Sequence, residues 1–150
     1  MPDPLSEALE FAYPGSPAEG FTRSHPPWRP RGIRILLSDL LWVGDPLATL
    51  RHLAERAAVT VVVQVLAEAD AAPPPAGNLR LVDSETGQIR ELYVDASAVR
   101  RYQDALARHQ ENWSKACRQA GAVFSIVVAE RLLRDWKLDE LVAAEVLTVA

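Results

Sequence analysis

Cysteine is nearly absent from this sequence. Cys117 stands alone among 150 residues, so no intrachain disulfide can form, and the chain suits a reducing compartment. No apolar run approaches the roughly 20 residues needed to span a bilayer. Asp3, Glu7 and Glu10 occupy the stretch where a secretory leader would carry basic residues and an apolar core. The expected location is therefore cytoplasmic, with no membrane partner. Positive charge is not in excess either. Sixteen Lys and Arg against 20 Asp and Glu give a net charge of −4, and the basic residues are scattered, so nucleic acid is not an expected partner. The usual catalytic signatures are missing as well. There is no Gly-rich phosphate loop, nucleophile elbow, pair of metal histidines or cysteine cluster.

What remains is an ordinary globular composition, 49% hydrophobic and 24% charged, on a chain long enough for one domain. Its organising stretch is Arg31 to Trp42. Ile33, Ile35, Leu36 and Leu37 form a short apolar run that stops at Ser38-Asp39. Buried parallel strands of α/β sheets read this way, and their ligands sit beyond the carboxyl ends of the strands. Asp39 is thus the best-placed chemical group in the chain.

Upstream, residues 1–30 hold seven of the eleven prolines and read as a proline-rich extended arm. Downstream, Asp45-Pro46 opens a helix, with Asp as cap and Pro at the first helical position. Leu47, Leu50, Leu53, Ala54 and Ala57 recur on one face of it. Val59 to Leu66 is dense in β-branched residues and predicts a second strand, parallel to the first. A turn-rich break over Ala71 to Gly77 precedes a hairpin near 79–94, with Gly87 suited to a left-handed loop position. Asp95 or Ser97 caps the longest helix, which Gly121 ends. Val99, Tyr102, Leu106, His109, Trp113, Cys117 and Ala120 line one stripe of it. That helix is about 36 Å long, more than a short strand needs, so its excess end is expected to cover the hairpin or a partner. A third strand at 122–128 is followed by a helical tail from Glu130 to Leu147, with Trp136, Leu138, Leu141, Val142 and Val146 as its apolar positions.

Chemistry is sparse along this frame. Asp39, Glu68 and Asp70 are carboxylates near strand ends, and Asp83 and Glu85 lie in the hairpin loop, where turn carboxylates commonly bond nearby amides. His109 reads as a satisfied, half-buried histidine, and Cys117 as a small core residue. Magnesium wants six near-octahedral oxygens, and one aspartate beside a serine supplies too few. Asp39 could also do no more than cap the loop that follows it.

The strand ending Ser38-Asp39, the valine-rich strand, the hairpin on Leu81-Val82-Asp83-Ser84-Glu85-Thr86-Gly87 and the helix carrying Arg101-Tyr102 together resemble the carboxyl-terminal part of the domain of unknown function 58 family. The resemblance runs over roughly Trp28 to Leu147. That family is similar to a divergent von Willebrand factor A domain. The implied fold is α/β, a Rossmann-like three-layer sandwich over 31–150, with parallel strands near 33–38, 59–66 and 122–128 and the hairpin near 79–94.

In such domains a metal-ion-dependent adhesion site draws ligands from three loops. Ser38-Asp39 matches only the third, a Thr-Asp-Gly-like turn, and Leu40 stands where glycine is common. The Asp-x-Ser-x-Ser loop is absent and would lie upstream of Met1. The resemblance thus implies a truncated site with no cofactor, magnesium entering only if the missing ligands come in trans. It also implies a non-enzymatic interaction module, an adaptor for a MoxR-type AAA+ ATPase that binds through Ser38, Asp39 and Trp42. The competing reading is a small hydrolase or phosphotransferase using Asp39 as nucleophile or base. Lacking upstream neighbours, the strand at 33–37 would have an unpaired edge, open to a homodimer or to the proline-rich arm.

Overall fold

After Gly32 the chain enters β1 (Ile33–Ser38), then α1 (Pro46–Ala54), β2 (Val59–Leu66) and the one-turn α2 (Glu68–Ala71). The strands β3 (Gly77–Val82) and β4 (Ile89–Val94) lead to α3 (Ala96–Ala120), β5 (Val123–Val128), α4 (Ala129–Asp135) and α5 (Asp139–Ala143). This computed structural model describes residues 19–20, 28–42, 44–73, 76–82, 87–135, 138–144 and 146. Most of the expected 1–30 arm, the loop residues Asp83 and Glu85, and Trp136 fall outside the described residues.

The three β-branched segments form one parallel sheet in the order β1-β2-β5, and β3 and β4 form a separate antiparallel pair. The fold is thus mixed α/β, as the sequence predicts. Both crossovers step across the sheet in the same direction. Crossovers of one hand then place their helices on one face, and α1 and α3 do share a face. Leu50 and Leu53 of α1 meet Val62 of β2, Trp113, Ala116 and Cys117 of α3, and Leu40 of the loop after β1. On the opposite face Val61, Val63 and Val127 pack against Leu132, Leu141 and Val146 of the carboxyl-terminal segment. β2 is buried on both faces, which explains its unbroken apolar run.

Local signals set the element ends. The Asp45 side chain accepts from Leu47 N at 3.0 Å with Pro46 in the first turn, and that of Asp95 accepts from Ala98 N at 2.6 Å. Gly121 ends α3 in the left-handed region at φ 69°. There Ala122 N donates back to Cys117 O at 2.8 Å, so β5 begins at Val123 and not at 122. The carboxyl end of α1 has no glycine cap. Buried Arg34 of β1 serves it, donating from Nη1 to Leu53 O at 2.6 Å while its guanidinium lies 5.1 Å from the Trp28 ring centroid. A cation on the last carbonyls of a helix suits both its orphan acceptors and its dipole.

Three expectations need correction. The tail is two short helices, α4 and α5, not one helix from Glu130 to Leu147. An 18-residue helix would run about 27 Å, past a six-residue strand of about 20 Å, and the two short helices keep Leu132, Leu141 and Val146 on the valine face. The break after β2 is preceded by α2, an extra turn that already holds Ala71. The amino-terminal overhang of α3 does not bury the hairpin, whose described strand residues are exposed apart from Gly77, Leu79 and Val94. It reaches α2 instead, where Tyr102 Oη donates to Asp70 O at 2.9 Å. Among the described residues, no helix is long and apolar enough to cross a membrane.

Leu50 has no solvent exposure and sits where α1, α3 and the sheet meet. Leu50→Ala should cost about 2–5 kcal/mol of stability, read from urea denaturation. A loss under about 1 kcal/mol would show that the α1 face is not the core.

Candidate functional site

Parallel β1 and β2 end side by side, with Ser38 in register with Gln64. The chain leaves the sheet at Asp39 and turns sharply. Leu40 takes a left-handed conformation, φ 60°, which a residue with a Cβ adopts only at a cost of about 1–3 kcal/mol. Its side chain is fully buried among Leu50, Leu53 and Trp113. This is the position where the resemblance expects glycine, and the backbone has the geometry that glycine would favour.

The turn is held from three sides. The Ser38 hydroxyl accepts from Leu40 N at 3.1 Å and donates to Asp39 Oδ1 at 3.3 Å, and the same Oδ1 accepts from Leu41 N at 3.1 Å. From β2, buried Gln64 donates through Nε2 to Asp39 O at 2.8 Å, and its Oε1 accepts from Gln110 of α3 at 3.1 Å. From α3, His109 Nε2 donates to Leu40 O at 2.7 Å. Trp42 then packs edge-on against Trp113, with centroids 5.5 Å apart. Ser38 and Asp39 are thus joined at the end of β1, while Trp42, three residues further on, turns to Trp113 and the core beneath.

Asp39 is exposed, and half of its carboxylate caps its own turn, as the plainest sequence reading expects. It makes no ion pair among the described residues. The other carboxylates near the strand ends have different duties. Glu68 takes a two-point contact from Arg131, Nε to Oε2 at 2.9 Å and Nη2 to Oε1 at 2.7 Å. Hydrogen bonding from Arg131, aided by its charge and that of Arg134, holds the Glu68 carboxyl below its ordinary value. Glu130 Oε2 in turn accepts from Glu68 N at 2.8 Å, so this pairing fastens α2 to α4. Asp70 contributes its backbone carbonyl to Tyr102. Cys117 is buried, and desolvation pushes its thiol up to about 12, far from a nucleophile's range. No group of three or more His, Cys, Asp or Glu able to hold a metal occurs among the described residues.

Sequence reading missed Gln64, and a signal for it existed. It is the one amide in Val-Thr-Val-Val-Val-Gln-Val-Leu, a strand otherwise apolar but for Thr60. A polar side chain in a doubly covered strand must find partners, and here those partners are the candidate loop and α3.

A family model described as protein of unknown function DUF58 matches residues 20–112. Uncharacterised proteins of Mycobacterium bovis and Mycobacterium tuberculosis are each 31% identical over 113 residues, 75% of this chain and 34% of theirs. One from Mycobacterium avium is 32% identical over 113 residues, 75% of this chain and 64% of its own. The chain therefore spans about a third of the length of the first of these relatives. No solved structure matches it significantly.

Gln64→Leu would leave the Asp39 carbonyl and the Gln110 amide without this partner. It should cost about 1–3 kcal/mol and speed hydrogen exchange at Leu40 and Leu41, and unchanged exchange there would mean the loop stands without it. The Glu68 pair carries a pH signature. Its carboxyl titrates lower folded than the ordinary 4.5, so the stabilisation is complete above 4.5 and is lost as pH falls through the folded value. Glu68→Gln should lower the urea midpoint at neutral pH and match the wild type at strongly acid pH. A deficit that persists in acid would assign the pair no titrating role.

Proposed function

The chain belongs to the DUF58 family of proteins of unknown function, and from that premise we propose that it is a non-enzymatic protein-interaction module of von Willebrand factor A-like build. Its binding surface is the end of β1, with Ser38, Asp39 and Trp42 as contact residues, and its partner is a MoxR-type AAA+ ATPase. The observation that carries this reading is the turn itself. Ser38-Asp39-Leu40 has the left-handed third residue of a Thr-Asp-Gly-like turn, and it presents an exposed carboxylate on a loop fixed by Gln64 and His109.

Preorganisation of this kind favours recognition, because a loop already rigid loses less conformational freedom on binding. Tryptophan is also enriched among interface anchors, and Trp42, half-buried, lies on the same loop. The described residues do not fit magnesium by themselves. One hydroxyl and one carboxylate, partly committed to each other, fall short of the near-octahedral oxygen set that the ion requires. A hydrolase or phosphotransferase built on Asp39 would need a second acid or a lysine beside it. Glu68, the carboxylate that follows β2, is instead engaged by Arg131.

Asp39→Asn keeps an oxygen for Leu41 N and removes only the charge, whereas Asp39→Ala removes both. Both variants should retain the fold and weaken capture of a purified MoxR-type ATPase by about tenfold or more, measured by biolayer interferometry. Wild-type binding by Asp39→Asn would sink the charge-based contact. A metal-dependent hydrolytic activity abolished by either variant would replace this reading with the enzyme.

A further inference from the structure

Arginines that lie apart in the sequence are gathered by the fold. Arg31 N donates to Arg56 O at 2.7 Å, Gly32 N to Arg29 O at 3.2 Å, and Ala58 N to Gly32 O at 3.0 Å. These bonds lay the segment entering β1 beside the segment entering β2, and Arg51 stands in the last turn of α1 that leads into the same joint. Arg29, Arg31, Arg51 and Arg56 are all exposed, and none forms an ion pair among the described residues. Glu55 is the only carboxylate in residues 28–38 and 46–60. One end of the sheet thus carries an excess of positive charge in a chain whose net charge is −4.

Two of the four arginines are held under strain. Arg31 and Arg56 are left-handed, at φ 58° and 56°, where glycine, asparagine or aspartate is the usual occupant. Leu40 shares that conformation, but its side chain is fully buried and the packing offsets the strain. The exposed arginine side chains gain no such compensation. The dipole of α1 accounts for Arg51, whereas Arg29, Arg31 and Arg56 lie outside the helices and join the fold through their backbones. Strained residues whose side chains serve no packing point to a ligand.

We propose that this end of the domain binds an acidic peptide segment, its carboxylates taken by Arg29, Arg31, Arg51 and Arg56. A guanidinium presents paired N–H donors that match a carboxylate two at a time, and arginine clusters recur in the recognition of acidic motifs. The joint is also preorganised, because buried Arg34 ties the end of α1 to Trp28, so little freedom is lost on binding. A nucleic-acid backbone is the poorer anion here, since a molecule of net negative charge repels a long polyanion. The arginines stand at the amino end of β1 and Asp39 beyond its carboxyl end, six residues or about 20 Å away. The site therefore needs nothing from the proposed ATPase contact, and failure of either leaves the other untouched.

Fluorescence anisotropy of a labelled octaglutamate peptide, titrated with the full chain, tests the proposal. Octaglutamate should bind saturably and lose affinity as salt rises. Octaglutamine should not bind, and an octathymidylate strand should bind at least tenfold more weakly than octaglutamate. Arg31→Gly combined with Arg56→Gly should weaken octaglutamate at least tenfold without lowering the urea midpoint, because glycine relaxes both backbones. Arg31→Lys combined with Arg56→Lys keeps both charges and should still weaken it about threefold, since an ammonium lacks the fork. Absence of octaglutamate binding overturns the proposal, as does a preference for octathymidylate. A double glycine variant that binds as the wild type does would place the peptide elsewhere and overturn it. A lowered urea midpoint in that variant would make the two arginines props of the fold, which overturns it too.

Discussion

The buried side chain of Gln64 is the constraint on which the rest of the site depends. It lies at full burial in the central strand, where an amide without partners would cost about 1–3 kcal/mol for each group left unpaired. Its needs are met in two directions, by Asp39 O beyond β1 and by Gln110 of α3. One residue thereby links the loop, the sheet and the long helix. The loop cannot move without breaking a bond whose other end is buried. His109, one residue from Gln110 on the same helix, adds the neighbouring carbonyl of Leu40 to the same clamp.

How far the sequence disclosed this depends on the range of each interaction. β1, β2 and β5 were legible because their apolar, β-branched-rich runs are local. The caps were legible because Asp45-Pro46, Asp95 and Gly121 act within one turn of their own positions. The division of the tail into α4 and α5 was not, since it answers to the length of the valine face they cover. Arg34 is a similar case. On an alternating pattern it looks like the exposed side of a strand, yet it is buried because α1 ends beside it without a cap and offers carbonyls to a guanidinium.

The candidate site divides in the same way. Ser38, Asp39 and Trp42 could be named because a strand ending in polar residues marks a sheet terminus, and the structure joins Ser38 to Asp39 while Trp42 packs on Trp113. The parts that hold them there, Gln64, Gln110 and His109, come from 25 to 69 residues away. Only Gln64 left a local trace, as a polar interruption in an apolar strand. Glu68 shows the reverse hazard. Position alone made it a candidate for chemistry, whereas its partner Arg131, 63 residues on, makes it a fastening between α2 and α4.

Leu40 shows why a turn of this geometry can persist without glycine. Its left-handed backbone costs about 1–3 kcal/mol relative to a relaxed residue. Full burial of a leucine side chain contributes about 1.5–3 kcal/mol, so the two nearly cancel. The hydrogen bonds to Asp39 O and Leu40 O come in addition and favour the turned form. A glycine would adopt the same backbone freely but leave a hole between Leu50 and Trp113, and the loop would lose its anchor in the core. Leucine therefore trades backbone ease for fixation, and fixation is what an exposed carboxylate needs if it is to meet a partner in a single orientation.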